Sequence, residues 1–283
     1  FFLKQFKTSL VIYILYIHTS FRMKLHQKIF LILLFFLPTQ LGKHFWFDWS
    51  FVFGIRVDYL SLVVYFTDLL IIALAITWMS KIRISKWVVV LCLFALTNIV
   101  FSISWQVTLF KWVKVLELVF LAVYTKHNWI ELKHKVHIPL VLSAVFILVL
   151  SVLQLFFQKS IGGVFYFFGE RSFTSLTPGI SLANIFGNSI LRPYATFSHP
   201  NSLGGYFLIV GLMLFIEKRF ATLGMFVSVV LVVLSFSQAV WFTLVFVILL
   251  LVFSKNKKHL KTLTQTVFLG SVLFSLVLPI ASK

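Results

Sequence analysis

The stretch Ile138-Pro-Leu-Val-Leu-Ser-Ala-Val-Phe-Ile-Leu-Val-Leu-Ser-Val-Leu-Gln-Leu-Phe-Phe157 decides how the chain is read. It carries no charge, and its polar members are Ser143, Ser151 and Gln154. As a helix it spans about 30 Å, the thickness of a bilayer's hydrocarbon core. Similar apolar segments recur at 27–42, 60–79, 86–103, 106–124, 201–216, 221–235, 239–253 and 263–281. The expected fold is therefore an all-α, polytopic integral membrane protein of about nine transmembrane helices.

Composition agrees with that reading. The chain is 60% hydrophobic and 11% charged, with a mean hydropathy of +1.03. A soluble domain is usually about 45–50% apolar and about 25% charged. Phe occurs 35 times, which signals hydrocarbon rather than any ligand, because Phe and Leu both insert readily into lipid. Cys92 is the single cysteine, so there is no disulfide framework and no thiolate metal site.

A net charge of +18 would suggest nucleic acid in a soluble protein. In a membrane protein, basic residues mark cytoplasmic loops instead. With the N-terminus in the cytoplasm, the inner loops are 80–86, 125–137, 217–220 and 254–262, and they hold twelve Lys and Arg. The outer loops are 43–59, 104–105, 158–200 and 236–238. They hold five: Lys43, Arg56, Lys159, Arg171 and Arg192. The alternation supports the span count and the orientation, and it puts the long loop 158–200 outside. The expected location is the cytoplasmic membrane. Residues 1–22 read as an extension of the frame upstream of Met23, and 24–283 as the membrane domain.

Loops as long as 158–200 are usually functional or disordered. Phe165, Tyr166, Phe167 and Phe168 argue for packing on the membrane surface. Its end, Arg192-Pro-Tyr-Ala-Thr-Phe-Ser-His-Pro-Asn201, is the polar stretch most capable of chemistry. Ser198 or Asn201 can cap the sixth span, and Pro200 fits a first helical turn. The free N–H groups and positive dipole of that helix start form an anion site. Arg192 can add a bidentate fork for a phosphate. The alternative is an ordinary helix start with an arginine among headgroups. His199 reads either as a general base or as a loop-orienting group. Arg171 reads either as a second phosphate ligand or as the partner of Glu170.

Other features divide between packing and pathway. Gly204 and Gly211 share a helix face that a neighbour can approach closely. Lys111, Lys114 and Glu117 lie at helical spacing within the fourth span, and Asp68 lies in the second. Charges there form an intramembrane ion pair or line a polar cavity. No metal-spaced His/Cys/Asp cluster, Walker loop or dinucleotide fingerprint occurs, so neither a metal nor a cofactor is implied.

At Arg192–Asn201 the chain resembles the O-antigen ligase family, with its related polysaccharide polymerases and bacterial protein O-glycosyl ligases. Members commonly show Arg-x-x-(Gly/Ala)-Thr-Phe-x-His-Pro-Asn entering a span. Pro38-Thr-Gln-Leu-Gly42, Gly54-Ile-Arg-Val-Asp-Tyr59 and Gly169-Glu-Arg-Ser172 extend the resemblance. It implies a bacterial membrane glycosyltransferase needing no metal and no nucleotide sugar. Such an enzyme moves a glycan from an undecaprenyl-diphosphate carrier to an acceptor hydroxyl on the outer face of the cytoplasmic membrane. The candidate diphosphate ligands are Arg192, Arg171, His199 and Asn201. The partners implied are the bilayer and the lipid-linked glycan, with no nucleic acid.

Two departures stand out. Members often carry Ser-Arg-(Ser/Gly)-Ala-Trp between the seventh and eighth spans, where this chain has Ser237-Gln-Ala-Val-Trp241. Members also continue into a large outer loop bearing the acceptor-activating histidine, then further spans. The chain reads as a C-terminally truncated member, with that histidine beyond Lys283. The rival function is a transporter or flippase of lipid-linked glycan, motivated by the charged fourth span.

Overall fold

The computed structural model describes residues 23–78, 86–185, 187–216 and 221–253. Most of them are helical. The helices are α1 (Leu25–Phe36), α2 (Phe66–Trp78), α3 (Lys86–Val100), α4 (Trp105–Leu132), α5 (His137–Phe157), α6 (Pro200–Ile216), α7 (Ala221–Leu234) and α8 (Gln238–Phe253). Short strands are added: β1 (Gly42–Phe45), β2 (Phe51–Val52), β3 (Ile55–Arg56), β4 (Leu62–Tyr65), β5 (Leu182–Ile185) and β6 (Asn188–Leu191). The expected fold is thus corrected from purely α to mostly α with small antiparallel ribbons.

The span count is also corrected. Among the described residues, one helix, His137–Phe157, is long and apolar enough to cross a membrane. Six further apolar helices have 10–17 residues, against about 20 needed for a crossing. The first expected span, 27–42, stops at Phe36 and gives way to β1. The second, 60–79, opens with β4, and α2 begins only at Phe66. The inner loop expected at 125–137 is helical as far as Leu132. There α4 continues through Lys126, a residue with good helix propensity, so charge alone did not mark a break. The span expected at 263–281 lies outside the described residues.

The described chain divides into two compact units, one holding the residues up to Leu33 with His44–Leu132, the other Leu34–Lys43 with the residues from Lys133 on. In the first unit α4 packs against α2 and α3. Lys114 of α4 bonds the Asp68 carboxylate of α2 and lies 3.5 Å from Glu117. The expected pair is therefore a triad that includes Asp68. Asp68 also accepts the Tyr65 N–H at 2.8 Å, capping the start of α2. Lys114 sits over the rings of Phe110 and Tyr65, at 5.1 and 5.5 Å from their centroids.

The second unit is built on α5, α6, α7 and α8. The buried face of α5 runs Leu140, Ser143, Ala144, Ile147, Leu150, Ser151, Gln154, the three-and-four spacing of one helix stripe. It meets Leu203, Phe207 and Leu214 of α6, Val227 and Leu231 of α7, and Val240 and Leu244 of α8. Helices α6 and α7 run together along a seam of small residues. A Cβ at Gly204 would lie 2.5 Å from Ser235 Oγ, and one at Gly211 3.1 Å from Ser228 Cβ. The glycines that share a face in sequence are thus where α7 closes in, and each faces a serine. Segment 34–43 belongs to this unit: Phe36 stacks on Phe168, and Thr196 Oγ1 donates to the Pro38 carbonyl at 2.6 Å.

Candidate functional site

The long loop 158–200 starts where α5 ends, at Gln158, whose φ of 53° turns the chain out of the helix. The loop then folds back over the end of α5. Glu170 anchors it. Its carboxylate is buried and accepts Ile161 N–H at 2.8 Å, Gly162 N–H at 2.7 Å and Gln154 Nε2 at 2.7 Å. The alternative that pairs Glu170 with Arg171 is therefore corrected: Glu170 uses its oxygens on two backbone N–H groups and the Gln154 amide, while Arg171 donates to the Ser198 carbonyl. A hairpin follows, with Leu182 opposite Leu191 and Ile185 opposite Asn188. Ile190 and Leu191 are buried, which fixes the hairpin on the unit and delivers Arg192 at its end.

Arg192 is held on all sides. Nε and Nη2 donate to the Ser235 carbonyl at 3.1 and 2.9 Å. Nη2 also donates to Asn201 Oδ1 at 2.6 Å, and Nη1 to Ser181 Oγ at 3.1 Å. A guanidinium has five N–H donors, so one Nη1 donor remains. Burial lowers the Arg192 pKa, and the neighbouring Tyr194 works against that shift. The group stays a cation at physiological pH.

Beside it opens a cavity of about 820 Å³. One wall is β5 with Asn184; the other is the turn into α8, with Phe236, Ser237, Gln238, Ala239 and Trp241. Arg192 and Asn201 complete the lining, which among the described residues contains no Asp or Glu. Helix α8 points its N-terminus into this space. Ser237 Oγ accepts the Val240 N–H at 3.5 Å as the cap. The N–H groups of Gln238 and Ala239 precede any intrahelical acceptor and find no partner among the described residues.

The helix start expected to bind an anion, that of α6, is closed. Pro200 has no N–H. The Asn201 N–H goes to His199 Nδ1 at 3.1 Å, and the Ser202 and Leu203 N–H groups go to the His199 carbonyl. The cap is His199 rather than Ser198 or Asn201, because the helix begins at Pro200 and the capping position is the residue before it. With Nδ1 accepting, the proton of the neutral ring lies on Nε2. Burial, and then the charge of Arg192, hold the His199 pKa below the usual imidazole value.

Of the four expected ligands, the fold brings Arg192 and Asn201 together at the cavity. His199 sits behind Asn201, with its ring edge-on to Tyr194. Arg171 is exposed and donates from Nη1 to the Ser198 carbonyl at 3.4 Å, outside the cavity lining. Sequence reasoning missed Ser181, Ser235, Glu170, Gln154, Gln158 and the α8 terminus. One signal was available: Gln154 is a polar residue at a buried stripe position of a charge-free apolar segment.

No protein-family model, curated protein or solved structure matches the chain.

Proposed function

We propose that the chain is a polytopic membrane protein of the O-antigen ligase type, whose cavity beside Arg192 receives the diphosphate of a lipid-linked glycan. The observation that carries this is the lining itself: a fixed arginine, the amide of Asn201 and two unclaimed N–H groups at a helix N-terminus, with no carboxylate. Such a set favours a multiply charged anion. The volume leaves room for sugar beside the phosphates.

The exposed surface supports a bilayer around it. Helix α3 buries only Ala95, yet exposes Trp87, Val89, Val90, Leu93, Phe94, Leu96 and Val100. Helix α8 exposes Phe242, Val245, Phe246 and Leu249. Faces of this kind are rare against water. The alternation of basic loops supports an outer-face position for the cavity.

In the proposed reaction the bond between the sugar's anomeric carbon and the diphosphate oxygen breaks. A bond forms from that carbon to the acceptor hydroxyl oxygen, and the diphosphate departs with the electron pair. Arg192 and the α8 terminus stabilise its charge as preorganised donors. The proton of the acceptor hydroxyl passes to the departing diphosphate, since His199 is committed at Nδ1 as an acceptor and is not assigned it. Ligase and polymerase differ here only in the acceptor.

Protein reconstituted in nanodiscs is expected to bind undecaprenyl diphosphate, with Arg192→Ala weakening it roughly 100-fold, the loss of one strong charge-assisted hydrogen bond from the remaining Nη1 donor. Equal affinity in the variant defeats the site assignment. The triad of Asp68, Lys114 and Glu117 favours a second reading, a transporter of lipid-linked glycan. Movement of labelled lipid-linked sugar between leaflets, with no glycosidic product, would select it.

A further inference from the structure

The direction in which Arg192 faces is set by the backbone on either side of it. That backbone rests on the end of α5, on Gln154 in its last turn and Gln158 just past it. The Leu191 N–H donates to Gln158 Oε1 at 2.7 Å. The Tyr194 and Ala195 N–H groups both donate to Gln154 Oε1, at 2.9 and 2.7 Å. Gln154 Nε2 donates back to the Ala195 carbonyl at 3.2 Å. Pro193 has no N–H, and the Arg192 N–H goes to the Ser181 carbonyl. The N–H groups that flank the arginine on both sides therefore end on glutamine oxygens.

A carboxamide is nearly symmetric in shape, so something must decide which end is oxygen. Its two ends meet opposite partners: the Tyr194 and Ala195 N–H groups can only donate, which fixes the oxygen end, and Glu170 Oε1 receives the nitrogen end at 2.7 Å. Glu170 is in turn fixed by two backbone N–H groups of the same loop. The relay is dry: Gln154 is 0% and Glu170 3% exposed. It also holds Ala195 at a φ of 48°, a left-handed conformation that alanine adopts only under constraint.

We infer that Glu170 and Gln154 are positioning residues for Arg192, a buried carboxylate–amide relay that aims the guanidinium at the cavity. Neither touches the ligand. The inference rests on the diphosphate reading only for the identity of that ligand.

Two readouts separate the relay from the site. The first needs no ligand: His199 senses the charge of Arg192, so its imidazole titration, followed by NMR on labelled protein in detergent micelles, reports where that charge sits. Arg192→Ala raises the His199 midpoint. Gln154→Ala raises it too, by less, and the double variant matches Arg192→Ala alone. The second readout is affinity for inorganic pyrophosphate. Gln154→Ala is expected to weaken it roughly tenfold, one hydrogen bond's worth of misalignment, with no further loss in the Arg192→Ala background. A Gln154→Ala protein that melts earlier but leaves the His199 midpoint unmoved overturns the relay, since Gln154 would then be purely structural. If Gln154→Ala does not fold, Gln154→Met is read instead: it keeps the volume and the charge but removes the oxygen that receives the Tyr194 and Ala195 N–H groups, and an unmoved midpoint there overturns the relay equally. If Arg192→Ala leaves pyrophosphate affinity intact while Gln154→Ala moves His199, the diphosphate reading falls and the relay stands.

Discussion

Helices α6 and α8 both begin at the polar side of the same unit, and they begin oppositely. α6 opens with a proline, and its next N–H groups are taken by the side chain and carbonyl of His199. α8 opens with Gln238 and Ala239, whose N–H groups face a cavity unclaimed. Both helices carry the same dipole per turn. What differs is who holds their first donors. A helix start becomes an anion site through what its neighbours leave undone, and the residue that marks it in sequence need not belong to it.

The sharpest way to break this comparison is at Arg192, which binds the α7–α8 turn through Ser235 and the first turn of α6 through Asn201. Arg192→Ala is expected to remove about 3 kcal/mol of diphosphate binding, read by calorimetry in nanodiscs. Undiminished binding would defeat the assignment of the diphosphate to this cavity. Next in size is Gly204→Ala. Its methyl would lie 2.5 Å from Ser235 Oγ, pressing on the turn that carries the open terminus. A destabilisation of about 1–3 kcal/mol is expected from such overpacking, seen as an earlier thermal transition. Unchanged melting would mean that the seam yields freely.

Gln238→Pro makes α8 begin as α6 does. A first-turn proline is tolerated by the helix and deletes one cavity donor, so affinity should fall by about 1 kcal/mol with the fold intact. Gln238→Ala is the control that removes only the side chain. Equal affinity in all three proteins would refute a role for that N–H. The smallest effect concerns the closed end. Because burial and Arg192 depress the His199 pKa in the folded state, the unfolded chain takes up the proton first. Stability is therefore full above about pH 6.5, falls as pH drops through that value, and levels off below the native pKa. His199→Gln should flatten this slope in denaturant titrations at several pH values. An unaltered slope would assign it to another group.

Much of this was legible in sequence, and its failures have physical causes. Ile138–Phe157 was readable because a charge-free run of that length has few alternatives, and the structure begins α5 within one residue of it. Arg192 and Asn201 were readable as polar residues beside an apolar run. The start of α6 was misread as an open anion site: Pro200 announces one missing donor, but a capping histidine that takes the next ones is rarer than serine in that role. The open end of α8 was not legible: its nearness to Arg192 comes from the α6–α7 seam, a tertiary fact. The boundary of α4 failed because lysine-rich turns continue helices as readily as they end them.

One contact has a consequence for how the molecule is made. Thr196 meets the carbonyl of Pro38, a partner 158 positions earlier in the chain. At a synthesis rate of about 5–20 residues per second, Pro38 is joined to the chain roughly eight to thirty seconds before Thr196. The first segment of this unit is therefore born into a waiting period. Whatever the cell provides to shelter an unpaired carbonyl at that stage must release it on time for the arginine loop to close.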